Sequence, residues 1–318
     1  MKRIKRPLLP LAIAFAAAGL VAGCGSDSGT PTGIVSFDVT DAPVDDVARV
    51  QLTLSGIALK PAGGPARFYA YPAPLVIDNL LDLQGGNAVG VLGDTRVPAG
   101  RYQWVRLYVI AGGDDSYVID DTGGTWDLLI PGQQGNNPKA RYVQLVSGFT
   151  VPAGGRADFT IDVDLRRALT KPAGADHYFL RPALRIVDNS DDGVIAGTVD
   201  DLLVQGAGCT ADPVTGEGNA VYLYTGNDAA AGDVWLDDNG LPLSADNPVS
   251  VAPVIQDDNG NWNFRFDYVA AGTYTVAFTC QASGDDPATD DSIVFDADAS
   301  VTVNPDATAT VDLAAPAP

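Results

Sequence analysis

Residues 158–165 read Asp-Phe-Thr-Ile-Asp-Val-Asp-Leu, a strict alternation of polar and apolar side chains. Only an extended strand, whose successive side chains point to opposite faces, gathers such an apolar set on one surface. The same period runs through Val35, Phe37 and Val39, and through Val50, Leu52 and Leu54. It returns in Trp262, Phe264, Phe266 and Tyr268, and again in Tyr274, Val276, Phe278 and Cys280. Each strand's apolar face needs a second sheet to cover it, and the only helical stretches between the strands are short, such as 78–83. The prediction is an all-β chain of two tandem β-sandwich domains. Composition agrees. Of the 40 acidic residues, 39 are Asp and one is Glu, beside 35 Gly and 22 Pro, which favours turns over long helices.

Turn signals separate the strands. Val97-Pro98-Ala99-Gly100, Val151-Pro152-Ala153-Gly154 and Val269-Ala270-Ala271-Gly272 each precede a strand-like run, where Gly is expected to supply a positive φ. A polar cluster at 188–193 marks a boundary between modules spanning 33–189 and 193–315. Charge divides there too. Residues 24–190 carry a net charge of -4, whereas residues 191–318 carry -21 with Arg265 as their only basic side chain. Such acidity excludes nucleic acid as a partner, because phosphate binding needs a basic surface.

The first residues form an export signal. Lys2, Arg3, Lys5 and Arg6 precede an apolar run from Leu8 to Gly23 that is too short to be a comfortable bilayer span. Its end, Val21-Ala22-Gly23-Cys24, resembles the lipobox of bacterial lipoproteins, in which the Cys becomes an acylated N-terminus. The resemblance implies a cleaved signal at 1–23, a lipid on Cys24, a flexible tether at 24–32, and a cell-envelope location with the membrane as partner. In a Gram-negative host, Gly25 after the Cys implies the outer membrane.

Five motifs occur in order: 37–47 (Phe-Asp-Val-Thr-Asp-Ala-Pro-Val-Asp-Asp-Val), 79–84 (Asn-Leu-Leu-Asp-Leu-Gln), 97–102 (Val-Pro-Ala-Gly-Arg-Tyr), 148–154 (Gly-Phe-Thr-Val-Pro-Ala-Gly) and 180–185 (Leu-Arg-Pro-Ala-Leu-Arg). Together they resemble the bacterial lipoprotein family called domain of unknown function 4382, over about residues 33–189. That family implies a β-rich envelope module and supplies no catalytic or ligand residues. In the second module Val194-Ile195-Ala196-Gly197-Thr198-Val199, 272–276 and the closing strand 299–303 resemble the prealbumin-like sandwich of carboxypeptidase regulatory domains.

With Cys24 assigned to lipid, Cys209 and Cys280 form an even pair in an oxidising compartment, and a disulfide is expected. Two Cys and the single His177 do not make a zinc site. No Gly-x-Ser-x-Gly or His-Glu-x-x-His motif is present, so His177 reads as a surface or strand-edge residue and the protein as a non-enzymatic binding or structural module. The alternative is a carbohydrate-binding or carbohydrate-active surface protein using Asp pairs and aromatic residues. Trp104, Trp126, Trp235 and Trp262 decide between them, with core packing the expected role. The partner is an unspecified protein or glycan. Calcium, held by loop carboxylates, is the one cofactor the composition suggests, with Asp237, Asp238, Asp257 and Asp258 as candidates. The same segments read as ordinary hairpin turns in which Asn-Gly suits the required positive φ, and that reading is preferred, so no cofactor is expected.

Overall fold

The alternating segments are strands in the computed structural model, which describes residues 30–42, 44, 46–132, 141–206, 208–212, 216–237 and 240–315. The first module holds β1 (Thr32–Ala42), β2 (Val47–Pro61), β3 (Arg67–Ile77), β4 (Val89–Pro98), β5 (Gly100–Val109), β6 (Tyr117–Asp120) and β7 (Thr125–Leu129). It continues with β8 (Tyr142–Leu145), β9 (Phe149–Val151), β10 (Arg156–Asp164), β11 (Leu169–Thr170), β12 (His177–Leu180) and β13 (Leu184–Asp188). The second module holds β14 (Asp192–Val199), β15 (Ala220–Thr225), β16 (Ser250–Pro253), β17 (Ile255–Gln256), β18 (Trp262–Ala270), β19 (Gly272–Thr279), β20 (Ala297–Val303) and β21 (Thr308–Thr310). Among the described residues helix is confined to single turns, α1 (Leu165–Ala168), α2 (Asp201–Val204) and 3-10 turns such as Leu80–Leu83, where the Asn79 side chain caps the Leu81 N–H. No helix among the described residues is long and apolar enough to cross a membrane.

Four sheets result. Sheet I runs β13-β10-β1-β4, and sheet II runs β11-β12-β7-β6-β2-β5-β8 with β3 added on β2 and β9 on β5. Sheet III runs β17-β18-β14-β21 and sheet IV runs β16-β15-β19-β20. Among the described residues no strand of the first module pairs with one of the second, so strand pairing respects the boundary near residue 190. Sheets I and II close over an aromatic cluster in which Phe37 lies 5.4 Å from Phe159 and 5.3 Å from Phe149, and Phe149 stacks on Tyr102 at 4.8 Å. Sheets III and IV close over Ile195, Phe264 and Phe266 from one side and Val221, Leu223, Val276 and Phe278 from the other. The Cys209–Cys280 disulfide, with Cα atoms 5.1 Å apart, ties the segment after α2 to the end of β19.

The core does not stop at the boundary. Along β15 every residue from Ala220 to Tyr224 is buried. Val221 and Leu223 face sheet III, while Ala220, Tyr222 and Tyr224 join Val251 and Ala277 in the core of the first module. A strand covered on both faces loses its alternation and becomes a continuous apolar run. Two expectations are corrected here. Thr275, Ala277 and Thr279, read as the polar outer face of β19, are buried, as are Thr160, Asp162 and Asp164 on β10. Residues 31–318 consequently form one compact unit.

A third expectation fails at a turn. Gly100 and Gly154 have positive φ, but Gly272 does not; the positive φ sits at Tyr268 instead, with a value of 52°. The β14–β18 register shifts there, between Gly193 and Ile195. The bulge turns Tyr268 away from the row of Trp262, Phe264 and Phe266 and sends its hydroxyl to the Gly86 carbonyl of the first module at 2.8 Å.

Candidate functional site

Arginines of the first module bridge the seam between the modules. α1 starts at Asp164, whose side chain caps the Arg167 N–H. The turn thereby aims Arg166 and Arg167 across the boundary, where they donate to the Ala282 and Val249 carbonyls at 3.3 and 2.9 Å. Arg185 on β13 donates to the Tyr268 and Asp267 carbonyls at 3.0 and 3.2 Å and pairs with Asp162 at 2.5 Å. A cavity of about 360 Å³ lies along this seam, lined by Asp41, Asp162, Arg185, Asn263, Arg265 and Tyr268 among others.

Asp41 is the odd member. It is 6% exposed, and neither carboxylate oxygen has a hydrogen-bond partner of ordinary geometry. Burial first, then the negative charges of Asp162 and Asp164, push its carboxyl well above the usual range, against a smaller favourable pull from the Leu165 N–H and Gln84 nearby. Burial likewise raises Asp164 to about 6, opposed mainly by Arg167. Both oxygens of Asp41 are sealed from solvent.

The outward face of sheet II is different in kind. Inward-facing Ile57, Leu59, Val105, Leu107, Val143 and Leu145 are buried, which turns the intervening residues outward. Strand register sets these in rows. Phe68, Ala58, Arg106 and Gln144 form one row, and Ala70, Gly56, Tyr108 and Tyr142 the next, with Lys60 opposite Trp104 beyond them. The Arg106 guanidinium lies 4.1 Å from the Trp104 ring and 4.0 Å from the Tyr142 ring, and its Nε donates to Gln144 Oε1 at 2.6 Å. Phe68, 51% exposed, meets Tyr108 edge-on at 4.8 Å and rests over Gly56, where a Cβ would come within 2.7 Å of its ring. Not one residue of β2, β3, β5 or β8 is acidic, although these strands carry Arg49, Lys60, Arg67, Arg101 and Arg106.

Sequence reasoning singled out Trp104 but not the neighbours that register gives it, which come from strands far apart in the chain. Of the four tryptophans only Trp262 is a core residue; the other three are half-buried. Core packing for all four is thus corrected. Trp126 donates to Asp120 at 2.6 Å and carries the Lys171 ammonium over its ring at 3.4 Å. His177 sits half-buried on β12, hydrogen-bonded to the exposed Asp176 at 3.0 Å and edge-on to Phe179, with no nucleophile beside it.

Two of the calcium candidates, Asp257 and Asp237, are engaged by their own turns. Asp257 accepts from the Asn261 side-chain amide at 3.0 Å and from the Asn261 and Asn259 N–H groups at 2.9 Å each, which holds its carboxyl down at about 2. Asp258 is exposed, Asp237 accepts from the Leu241 N–H at 2.8 Å, and Asp238 and Cys24 lie outside the described residues. Instead, Asp233, Asp285 and Asp291 are the trio whose oxygens approach within 4.8 Å among the described residues. Internal donors engage them: Tyr222 Oη and the Val234 N–H on Asp285, the Asp291 N–H on Asp233, and Thr289 Oγ1 on Asp291.

Residues 32–182 match the model of the family described as Domain of unknown function (DUF4382). The first module is a DUF4382 domain. The outward face, the seam arginines Arg166 and Arg167, and Asp41 all fall within it. No curated protein matches the chain. Among solved structures, a leucine-rich repeat protein of Bacteroides thetaiotaomicron is 14% identical over 90% of this chain, with a TM-score of 0.21, and the chain spans 26% of its length. A candidate carbohydrate-binding protein of Pseudomonas aeruginosa is 19% identical over 40% of this chain and 91% of its own, also at a TM-score of 0.21. The shaft pilin SpaA of Lactobacillus rhamnosus is 11% identical over 90% of this chain and 99% of its own, at 0.21. Function is therefore read from the residues of this chain.

Proposed function

We propose that this chain is a non-enzymatic binding protein of the cell envelope, held to the membrane through lipid on Cys24, whose DUF4382 domain binds its partner with the outward face of sheet II. The observation that carries the reading is that face itself. Arg106, Trp104, Tyr108 and Tyr142 are the residue types that dominate binding surfaces, and here they are contiguous, half-exposed and held by one another. An exposed aromatic patch that no element among the described residues covers marks a place where something docks in a well-packed β protein.

The test uses the mature chain extracted from membranes, beside its Trp104→Ala/Arg106→Ala variant, on an array of purified glycans and peptides. The expected result is at least one ligand whose retention falls tenfold or more in the variant and which elutes with its mass unchanged. Retention indifferent to the variant, or a ligand released as product, overturns the reading. Intact mass of the same preparation checks the anchor. An N-terminus other than acylated Cys24 removes that part of the proposal.

A further inference from the structure

We infer that the outward face of sheet II takes an acidic polysaccharide, a chain of pyranose rings bearing carboxylates. The inference rests on the proposed use of this face and adds the class of ligand.

The first argument is charge. This chain has a formal net charge of -21, yet β2, β3, β5 and β8 contain no carboxylate, and Lys60 and Arg106 lie on their outward face. Arg106 stands at the centre of the face with Gln144 and two aromatic rings as its partners and no acidic side chain. A guanidinium stacked between rings keeps its in-plane donors in a fixed direction, the arrangement suited to a carboxylate. Lys60, opposite Trp104, adds a second cation at the end of the patch. Elsewhere on this molecule an anionic ligand meets mostly repulsion.

The second argument is the alternation of rings and donors. Phe68, Tyr108 and Tyr142 form a band across the strands, with centroids 4.8 and 5.5 Å apart. Arg106, Gln144 and Lys60 lie beside it. The faces of aromatic rings are the negative side of their quadrupole and attract polarised C–H groups, which a pyranose presents on its flat side. The ring hydroxyls and carboxylates then meet the row of donors.

The third argument is shape. The rows cross the face of the sheet from β3 to β8, which are its edge strands here, and the rings and Arg106 stand out from the face, where a peptide strand added at either edge would not cover them. Five cavities among the described residues, of about 240 to 540 Å³, are all lined by residues away from these rows. A small molecule would find no enclosure, whereas a polymer gains by contacting several positions at once.

The experiment is binding of the mature chain to polygalacturonate and to alginate, each compared with polygalacturonate methyl ester and with polyglutamate. The ester keeps the sugar rings and masks the charge; polyglutamate keeps the charge and lacks the rings. The expected result is binding to at least one of the two uronate polymers, at least tenfold weaker for both controls, and at least tenfold weaker for Arg106→Ala and for Tyr108→Ala. Lys60→Ala, which leaves the stacked rings in place, is expected to weaken binding severalfold and guards against a misfolded Arg106 variant. Equal binding of polyglutamate, equal binding of the ester, or no binding to either uronate polymer overturns the inference. If another ligand from the array still depends on Trp104 and Arg106, the face binds but its ligand class is wrong. If no ligand depends on them, the underlying reading fails as well.

Discussion

Sheets II and IV are built from strands of similar pattern, yet one turns its second face to solvent and the other buries it. On sheet II the second face carries Trp104, Arg106, Tyr108 and Tyr142. On sheet IV it carries Ala220, Tyr222, Tyr224, Val251 and Ala277, packed into the core of the first module. Aromatic residues occur on both, so hydrophobicity alone does not separate a covered face from an open one. What separates them is the neighbourhood. The covered face is small and apolar around its tyrosines, and the hydroxyls of Tyr222 and Tyr224 are satisfied internally by Asp285 and the Gly232 carbonyl. The open face surrounds its rings with Arg, Lys and Gln.

The largest expected effect comes from cutting the two modules apart. Residues 192–318 expressed alone would expose the second face of sheet IV and lose the arginine contacts to Ala282, Val249 and Tyr268. We expect no cooperative thermal transition for this fragment, with strong dye binding to exposed apolar surface, whereas the whole chain melts in one step. Two independent transitions in the intact chain would break the comparison.

Placing one charge on each face sharpens it. Ala277→Glu puts an unpaired carboxylate into the covered face and is expected to cost upwards of about 4 kcal/mol, while Gln144→Glu on the open face should stay within about 0.5 kcal/mol. Urea midpoints at constant m-value measure both. Equal effects would mean that both faces are open or both are closed.

The seam between them is the next target. Arg185→Ala removes the partner of Asp162, whose side chain is 3% exposed, and strands a buried charge. A loss of about 3 kcal/mol is expected, and Asp162→Asn in the same chain should recover part of it. Full additivity of the two substitutions would show that the pair is not coupled.

The smallest effect is pH dependence. Asp164 and Asp285 are raised to about 6, and Asp41 is raised well above the usual carboxylate range, all chiefly by burial. Between the unfolded carboxylate pKa of about 4 and these folded values, the native state holds more protons than the unfolded state. Stability from these groups is therefore full below about pH 4 and is lost as pH rises through 6. The melting temperature should be higher at pH 5 than at pH 8, and Asp41→Asn should reduce the difference. An unchanged profile in that variant would remove Asp41 from the account.

Much of this was legible in the residues. The alternation in 158–165 and 262–268 placed strands, and the drop in basic residues after 190 marked where the sheets divide. Gly56, an interior strand glycine, was the available signal for the close approach of Phe68. Asp162 and Asp164 were misread as solvent-facing because alternation reports one apolar face and says nothing about what covers the other. Tyr268 was misread because a single residue at positive φ shifts all that follows to the opposite face.

The sequence by itself determined the period of the strands, the pairing of the two cysteines and the charge of each module, because these are properties of near neighbours and of composition. Only the tertiary structure decided which polar faces are buried, which module supplies the arginines of the seam, and that Phe68, Arg106 and Tyr142 stand on one surface. Those three side chains come from strands separated by many residues, and it is cross-strand register, a property of the assembled sheet, that brings them together.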